Sequence, residues 1–114
     1  MFSGLVMGAI AAHMVGDYIV QNDWMAKNKM KRADALFLHV ACYTACFFPV
    51  VLLHSANSCI ATLSLAGLFI MHACTDCRRW ANGDAWPCKP ILVDQSIHAV
   101  QLWMLVEFIT WASR

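Results

Sequence analysis

The stretch HMVGDYIVQ sets His13, Asp17 and Gln21 at four-residue intervals inside an otherwise apolar run. The same interval recurs three times: His39 and Tyr43 in LHVACYTA, His72 and Asp76 in MHACTDC, Asp94 and His98 in VDQSIHAV. Residues four apart share one face of a helix, so each segment offers a short polar line. Imidazole and carboxylate together suit a transition metal such as Zn, Mn or Fe better than Mg or Ca. A carboxylate beside a histidine also orients a ligating ring, and the same groups relay protons in membranes.

The elements that carry these lines are apolar. Hydrophobic residues make up 61% of the 114-residue chain and charged residues 13%, against roughly 45–50% and 25% in soluble domains. A water-soluble domain this short buries too small a share of its surface to hide such a composition. Four apolar stretches, at about 2–20, 35–53, 59–75 and 91–111, each approach the ~20 residues that cross a bilayer. The chain thus reads as one domain over 1–114, an all-α four-helix transmembrane bundle. A cleaved signal peptide is not expected, since no basic n-region or small-residue cleavage site opens the sequence.

Net charge is only +1, but the charges are segregated. Lys27, Lys29, Lys31 and Arg32 fall in the first connection and Arg78, Arg79 and Lys89 in the third, while the second has no Lys or Arg. The positive-inside rule then makes both basic loops cytoplasmic and both termini external. Trp24, Trp80 and Trp86 read as anchors at the inner interface and Trp111 at the outer one. At about 1.5 Å per residue, all four polar lines fall roughly 3–14 Å beneath the inner interface, in a single layer.

An Asp at mid-span costs roughly 2.5–3.5 kcal/mol, less toward the interface. Hydrogen bonds between membrane helices return only about 0.6 kcal/mol each. Three aspartates are therefore poor packing devices and better site residues. The expected ligand set is His13, Asp17, His39, His72, Asp76, Asp94 and His98. Asp17, Asp76 and Asp94 serve as ligands or general bases; Gln21, Gln95 and Tyr43 hold substrate or developing charge. A divalent ion there would activate water for hydrolysis at the cytoplasmic leaflet. The basic loop KNKMKR attracts anionic head groups, as a phosphorylated or lipid-like substrate would need.

The runs HMVGDYIVQNDWMAKNK, LHVACYT, HACTDC and VDQSIH resemble, in order and over most of the chain, a family of small bacterial and phage-encoded integral membrane proteins known as a domain of unknown function. Its pattern is H-x-x-G-D-x-x-x-Q with a W-M-A-x-x-K tail, then L-H, H-x-x-x-D and D-Q-x-x-H. The resemblance implies a multi-pass protein of the bacterial inner membrane with Gly16 and Lys27 among its signature residues, which makes Lys27 the expected phosphate contact. It implies no activity. The His/Asp-rich spans are also distantly similar to membrane-bound metal-dependent hydrolases, by analogy alone.

Two other classes compete. One is a non-enzymatic phage-type membrane protein that binds or inhibits a host membrane component, its polar layer structural. The other is an ion or proton conductor, which needs polar groups beyond the layer. The outer halves supply Thr62, Ser64, Gln101 and Glu107, and Glu107 falls nearly opposite His98 around the helix. The stripe Gly4, Gly8, Ala12, Gly16 admits close helix packing, within the bundle or as the seam of a homo-oligomer. Cys74 and Cys77 form a C-x-x-C with no second pair at zinc spacing, Cys42, Cys46 and Cys59 read as small fillers, and Cys88 as a loop thiol. No phosphate-cradling glycine loop or nucleic-acid module is present.

Overall fold

A computed structural model describes residues 2–81 and 90–114. The Trp86, Cys88 and Lys89 expectations lie outside the described residues. Every regular element among those described is helical: α1 (Phe2–Met14), which runs on as a π-helical turn (Val15–Val20), α2 (Asp23–Asn28), α3 (Ala33–Cys46), α4 (Phe48–His54), α5 (Ser58–Asp76) and α6 (Pro90–Ala112).

Local chemistry sets the boundaries. Asn22 and Asn57 cap α2 and α5 by accepting the N–H groups of Met25 and Ile60 at 2.8 and 3.0 Å, satisfying donors that have no partner within the helix. Pro90 begins α6, where a fixed φ is an advantage. Pro49 cannot donate to the Ala45 carbonyl, so the second apolar stretch is not the single rod expected. It breaks at Phe47 and α4 leaves α3 at 43°.

The rods alternate in direction. Ser113 Oγ accepts the Ala56 N–H at 3.0 Å, closing one end, while at the other Lys29, just after α2, meets Asp76 at the end of α5 and Arg78 meets Asp94 in the first turns of α6. That second, basic end carries Lys27, Lys29, Lys31, Arg32, Arg78 and Arg79. α5 packs along α3 and α6, and the π turn packs on α3. The glycine stripe faces inward onto the bent pair: a Cβ at Gly8 would meet Val50 at 3.1 Å, and one at Gly16 would meet the Tyr43 ring at 2.6 Å.

The interior is divided along its length. Toward the far end lies an apolar cluster including Leu5, Phe47, Val51, Leu68 and Ile109. Toward the basic end lie buried His13, Asp17, His39, His72, Asp76, Asp94 and His98. The outside is the reverse, with large apolar side chains widely exposed, Leu53 to 81% and Ile19 to 74%. Among the described residues, α5 alone is long and apolar enough to cross a membrane, and α3 with α4 qualifies if the bent pair counts as one span. α6 has the length but carries Asp94, Gln95, His98, Gln101 and Glu107; α1 is the shorter apolar helix.

Candidate metal centre

Three elements bring four donor atoms together. The π turn supplies Asp17, α3 supplies His39, and α5 supplies His72 and Asp76. A π turn inserts an extra residue and is common at functional sites; here it carries Gly16, whose missing Cβ lets Asp17 approach α3.

His39 Nε2 lies 3.0 Å from His72 Nε2, 3.4 Å from Asp17 Oδ1 and 2.8 Å from Asp76 Oδ2. His72 Nε2 lies 3.4 Å from each of those oxygens. Metal bonds of 2.0–2.2 Å in a tetrahedron separate the ligands by about 3.3–3.6 Å, close to this spacing. Hydrogen bonding accounts for the same four atoms poorly. Two imidazoles bring at most one proton each to Nε2, and with both present the protons would face each other across 3.0 Å. Asp17 Oδ1 is buried and has no hydrogen-bond partner among the described residues. A central cation satisfies all four atoms at once, and two imidazoles with two carboxylates suit Zn, Mn or Fe.

His98 and Asp94 stand on the other side of Asp76. His98 Nε2 is 3.3 Å from Asp76 Oδ1, and His98 Nδ1 is 3.1 Å from Asp94 Oδ1. Asp76, Asp94 and His98 thus form a second group at ligand spacing. Asp94 is otherwise occupied: Oδ1 accepts from Gln95 Nε2 and Oδ2 from Arg78 Nε, both at 3.2 Å. It is placed to hold the His98 ring so that Nε2 faces Asp76, as carboxylates do behind metal-bound histidines.

His13 belongs to this supporting wall. Its Nε2–H donates to Gln95 Oε1 at 3.2 Å and its Nδ1 accepts from the Tyr43 hydroxyl at 2.9 Å. Both ring nitrogens are occupied, and the nearer one is 3.7 Å from Asp17 Oδ2. His13 falls in neither group at ligand spacing. The Tyr43 ring also stacks on His72, with centroids 3.5 Å apart. Gln21 is half-buried, its Oε1 enclosed without a partner among the described residues.

Two cations close the basic end of the site. Lys29 Nζ donates to Asp76 Oδ2 at 2.6 Å, and Arg78 reaches Asp94 from a left-handed backbone, φ 49°. Such a conformation costs a non-glycine residue about 1 kcal/mol or more. The family resemblance pointed instead to Lys27, which is exposed. Arg32 is committed to Asp34 through bonds of 2.7 and 3.0 Å, which hold that carboxyl at about 2. Lys29 was visible only as one of several lysines, and Arg78 only as a topology charge. Cys74 and Cys77 are free and lie in neither donor group.

Compared with known proteins, residues 5–114 match the model of a family described as "Protein of unknown function (DUF3307)". No curated protein and no solved structure matches the chain.

Proposed function

The chain belongs to the DUF3307 family, whose description assigns no activity, and from the site's own geometry we propose a membrane-embedded, metal-dependent hydrolase. Asp17, His39, His72 and Asp76 hold the divalent transition-metal ion. The observation that carries this reading is the mutual spacing of their four donor atoms, 2.8–3.4 Å in the five measured pairs.

The bilayer placement is supported by the inverted pattern of burial. Ionisable groups cluster in the interior at the basic end while large apolar side chains cover the outside, the opposite of what water selects. The long axis of 44 Å approaches the ~40–45 Å of a bilayer with its head groups. On this reading α1 with its π turn, α3 with α4, α5 and α6 make four spans of a bacterial inner membrane. The basic end faces the cytoplasm and both termini face outward, by the positive-inside rule.

When bound, such an ion lowers the pKa of a water and polarises a scissile ester. The protein's own groups do the rest. Asp94 stands 3.1 Å from His98 Nδ1 and Asp76 Oδ1 3.3 Å from His98 Nε2, placing a base at the site's edge. Tyr43 and Gln95 brace His13, and Gln95 also donates to Asp94. The apolar cluster beyond the layer argues against a conducting path.

The donor count favours one other reading. Four protein ligands leave no open position, which is the habit of structural sites; the ion would then weld α1, α3 and α5 in a non-enzymatic membrane protein. Elemental analysis of detergent-purified protein tests what both share. About one transition-metal ion per chain is expected, and none in a His39→Ala, His72→Ala variant of unchanged helicity. Metal-free wild-type protein overturns both. Metal-dependent release of product from lipid esters or phosphate esters separates the enzyme from the weld.

A further inference from the structure

We infer that Lys29 is a built-in counter-cation which a divalent ion displaces from Asp76, and that the released ammonium, together with Arg78, receives an anionic group of the phosphate-ester class on the substrate. This rests on the metal centre proposed above and names what that centre acts on.

One oxygen faces competing cations. Asp76 Oδ2 accepts from Lys29 Nζ at 2.6 Å while standing 2.8 Å from His39 Nε2 and 3.4 Å from His72 Nε2. An ion at the centre of the donor set would share that oxygen with the ammonium. Asp76 is 1% exposed, so little water screens the two positive charges from each other. The ion is fixed by four donors; the ammonium ends a flexible four-carbon stem. Lys29 closes α2 at its C-terminal cap and its side chain is already 16% exposed. It is the partner free to move, and the surface is near.

Charge balance then specifies the incoming group. Among the described residues, Asp17, Asp76 and Asp94 face only Lys29 and Arg78 as permanent cations within bonding distance. A divalent ion turns this deficit of positive charge into an excess. Uncompensated charge is costly away from water, and an anion of one or two charges brings the set back near neutrality. Arg78, its side chain 23% exposed beside Asp94, adds a guanidinium suited to phosphate oxygens. At a bilayer surface the abundant anion of this kind is a phosphate, either on a lipid head group or free in water.

The experiment is metal retention by the full chain in detergent, titrated with a chelator, alone and with either phenylphosphonate or phosphatidic acid in the micelle. In wild-type protein an anion should tighten retention about tenfold, within the usual range of coupling between sites. Lys29→Gln should hold metal more tightly without any anion and gain little from adding one. Lys29→Arg should keep the anion effect, and Lys27→Gln should match wild type. Tightening by phosphatidic acid alone assigns the head group as source; tightening by both assigns the phosphate group itself. If neither anion acts on wild type, or if Lys29→Gln keeps the full effect, the inference fails while the metal centre stands. Wild-type protein that retains no metal sinks the centre instead.

Discussion

His39 and His72, thirty-three residues apart in the chain, direct their Nε2 atoms at each other across 3.0 Å with rings 5.1 Å apart between centroids. Each Nε2 also faces the same two carboxylate oxygens, of Asp17 and Asp76. Lone pairs converge in this way when something positive lies between them.

Removing the metal should therefore loosen the bundle. A ligand that binds only the folded state stabilises it by about 2.7 kcal/mol at one hundred times its Kd. Chelation should lower the thermal midpoint of wild-type protein by several degrees. His39→Ala should melt at the same temperature with and without chelator. A midpoint in wild type indifferent to chelation would argue against an ion joining α1, α3 and α5.

Two glycines should behave in opposite ways. A Cβ at Gly16 would lie 2.6 Å from Tyr43 Cδ2 and 3.3 Å from Tyr43 Cα, so part of the obstacle is backbone. Gly16→Ala should cost about 1–3 kcal/mol, as overpacking does, and should push Asp17 out of reach of His39. Gly67 has nothing within 4 Å of its Cβ position. Gly67→Ala should be neutral, or stabilise by up to about 1 kcal/mol through helix propensity. Thermal midpoints and metal content of the two variants check both statements together.

Much of the site could be read from spacing alone. A four-residue interval fixes a shared helix face whatever the tertiary context, so the His72–Asp76 and Asp94–His98 pairs followed from the sequence. Their meeting at one end of the bundle followed from alternating chain direction. Three features did not. Pro49 marks a break in the second apolar stretch, but whether a membrane helix bends or stops at a proline depends on its neighbours. The π turn shifts the register between His13 and Asp17, so a pair that spacing stacks together instead divides between Gln95 and Tyr43 on one side and the donor set on the other. Lys29 was hidden by α2, a six-residue helix too short to show a period, whose turn decides which lysine of KNKMKR reaches Asp76.

Asp94 should matter to turnover more than to metal content. Its two oxygens are shared among His98, Gln95 and Arg78, which marks it as a positioning residue for the His98 ring. Asp94→Asn keeps the shape but removes the negative charge 3.1 Å from His98 Nδ1. Losses of about 10–100-fold in activity are typical of such partners, with metal stoichiometry unchanged. Loss of an ion instead would make Asp94 a ligand of the second group.

The free cysteines can test whether α5 crosses a membrane. Cys59 is exposed in the first turn of α5, while Cys74 and Cys77 lie near its other end, the latter half-buried. If α5 crosses the bilayer with its basic end inward, single-cysteine variants should label from opposite sides. Cys59 should react with an impermeant maleimide added to intact spheroplasts, and Cys77 only in inverted vesicles. The 19 residues of α5 rise about 28 Å at 1.5 Å each, close to the ~30 Å hydrocarbon core, so both thiols sit near an interface where the reagent can reach them. Labelling of both from the same face would remove the transmembrane placement, and with it the reason for expecting a lipid-borne phosphate at Lys29. The donor set of Asp17, His39, His72 and Asp76 would then be the interior of a bundle whose apolar exterior is covered by something other than lipid.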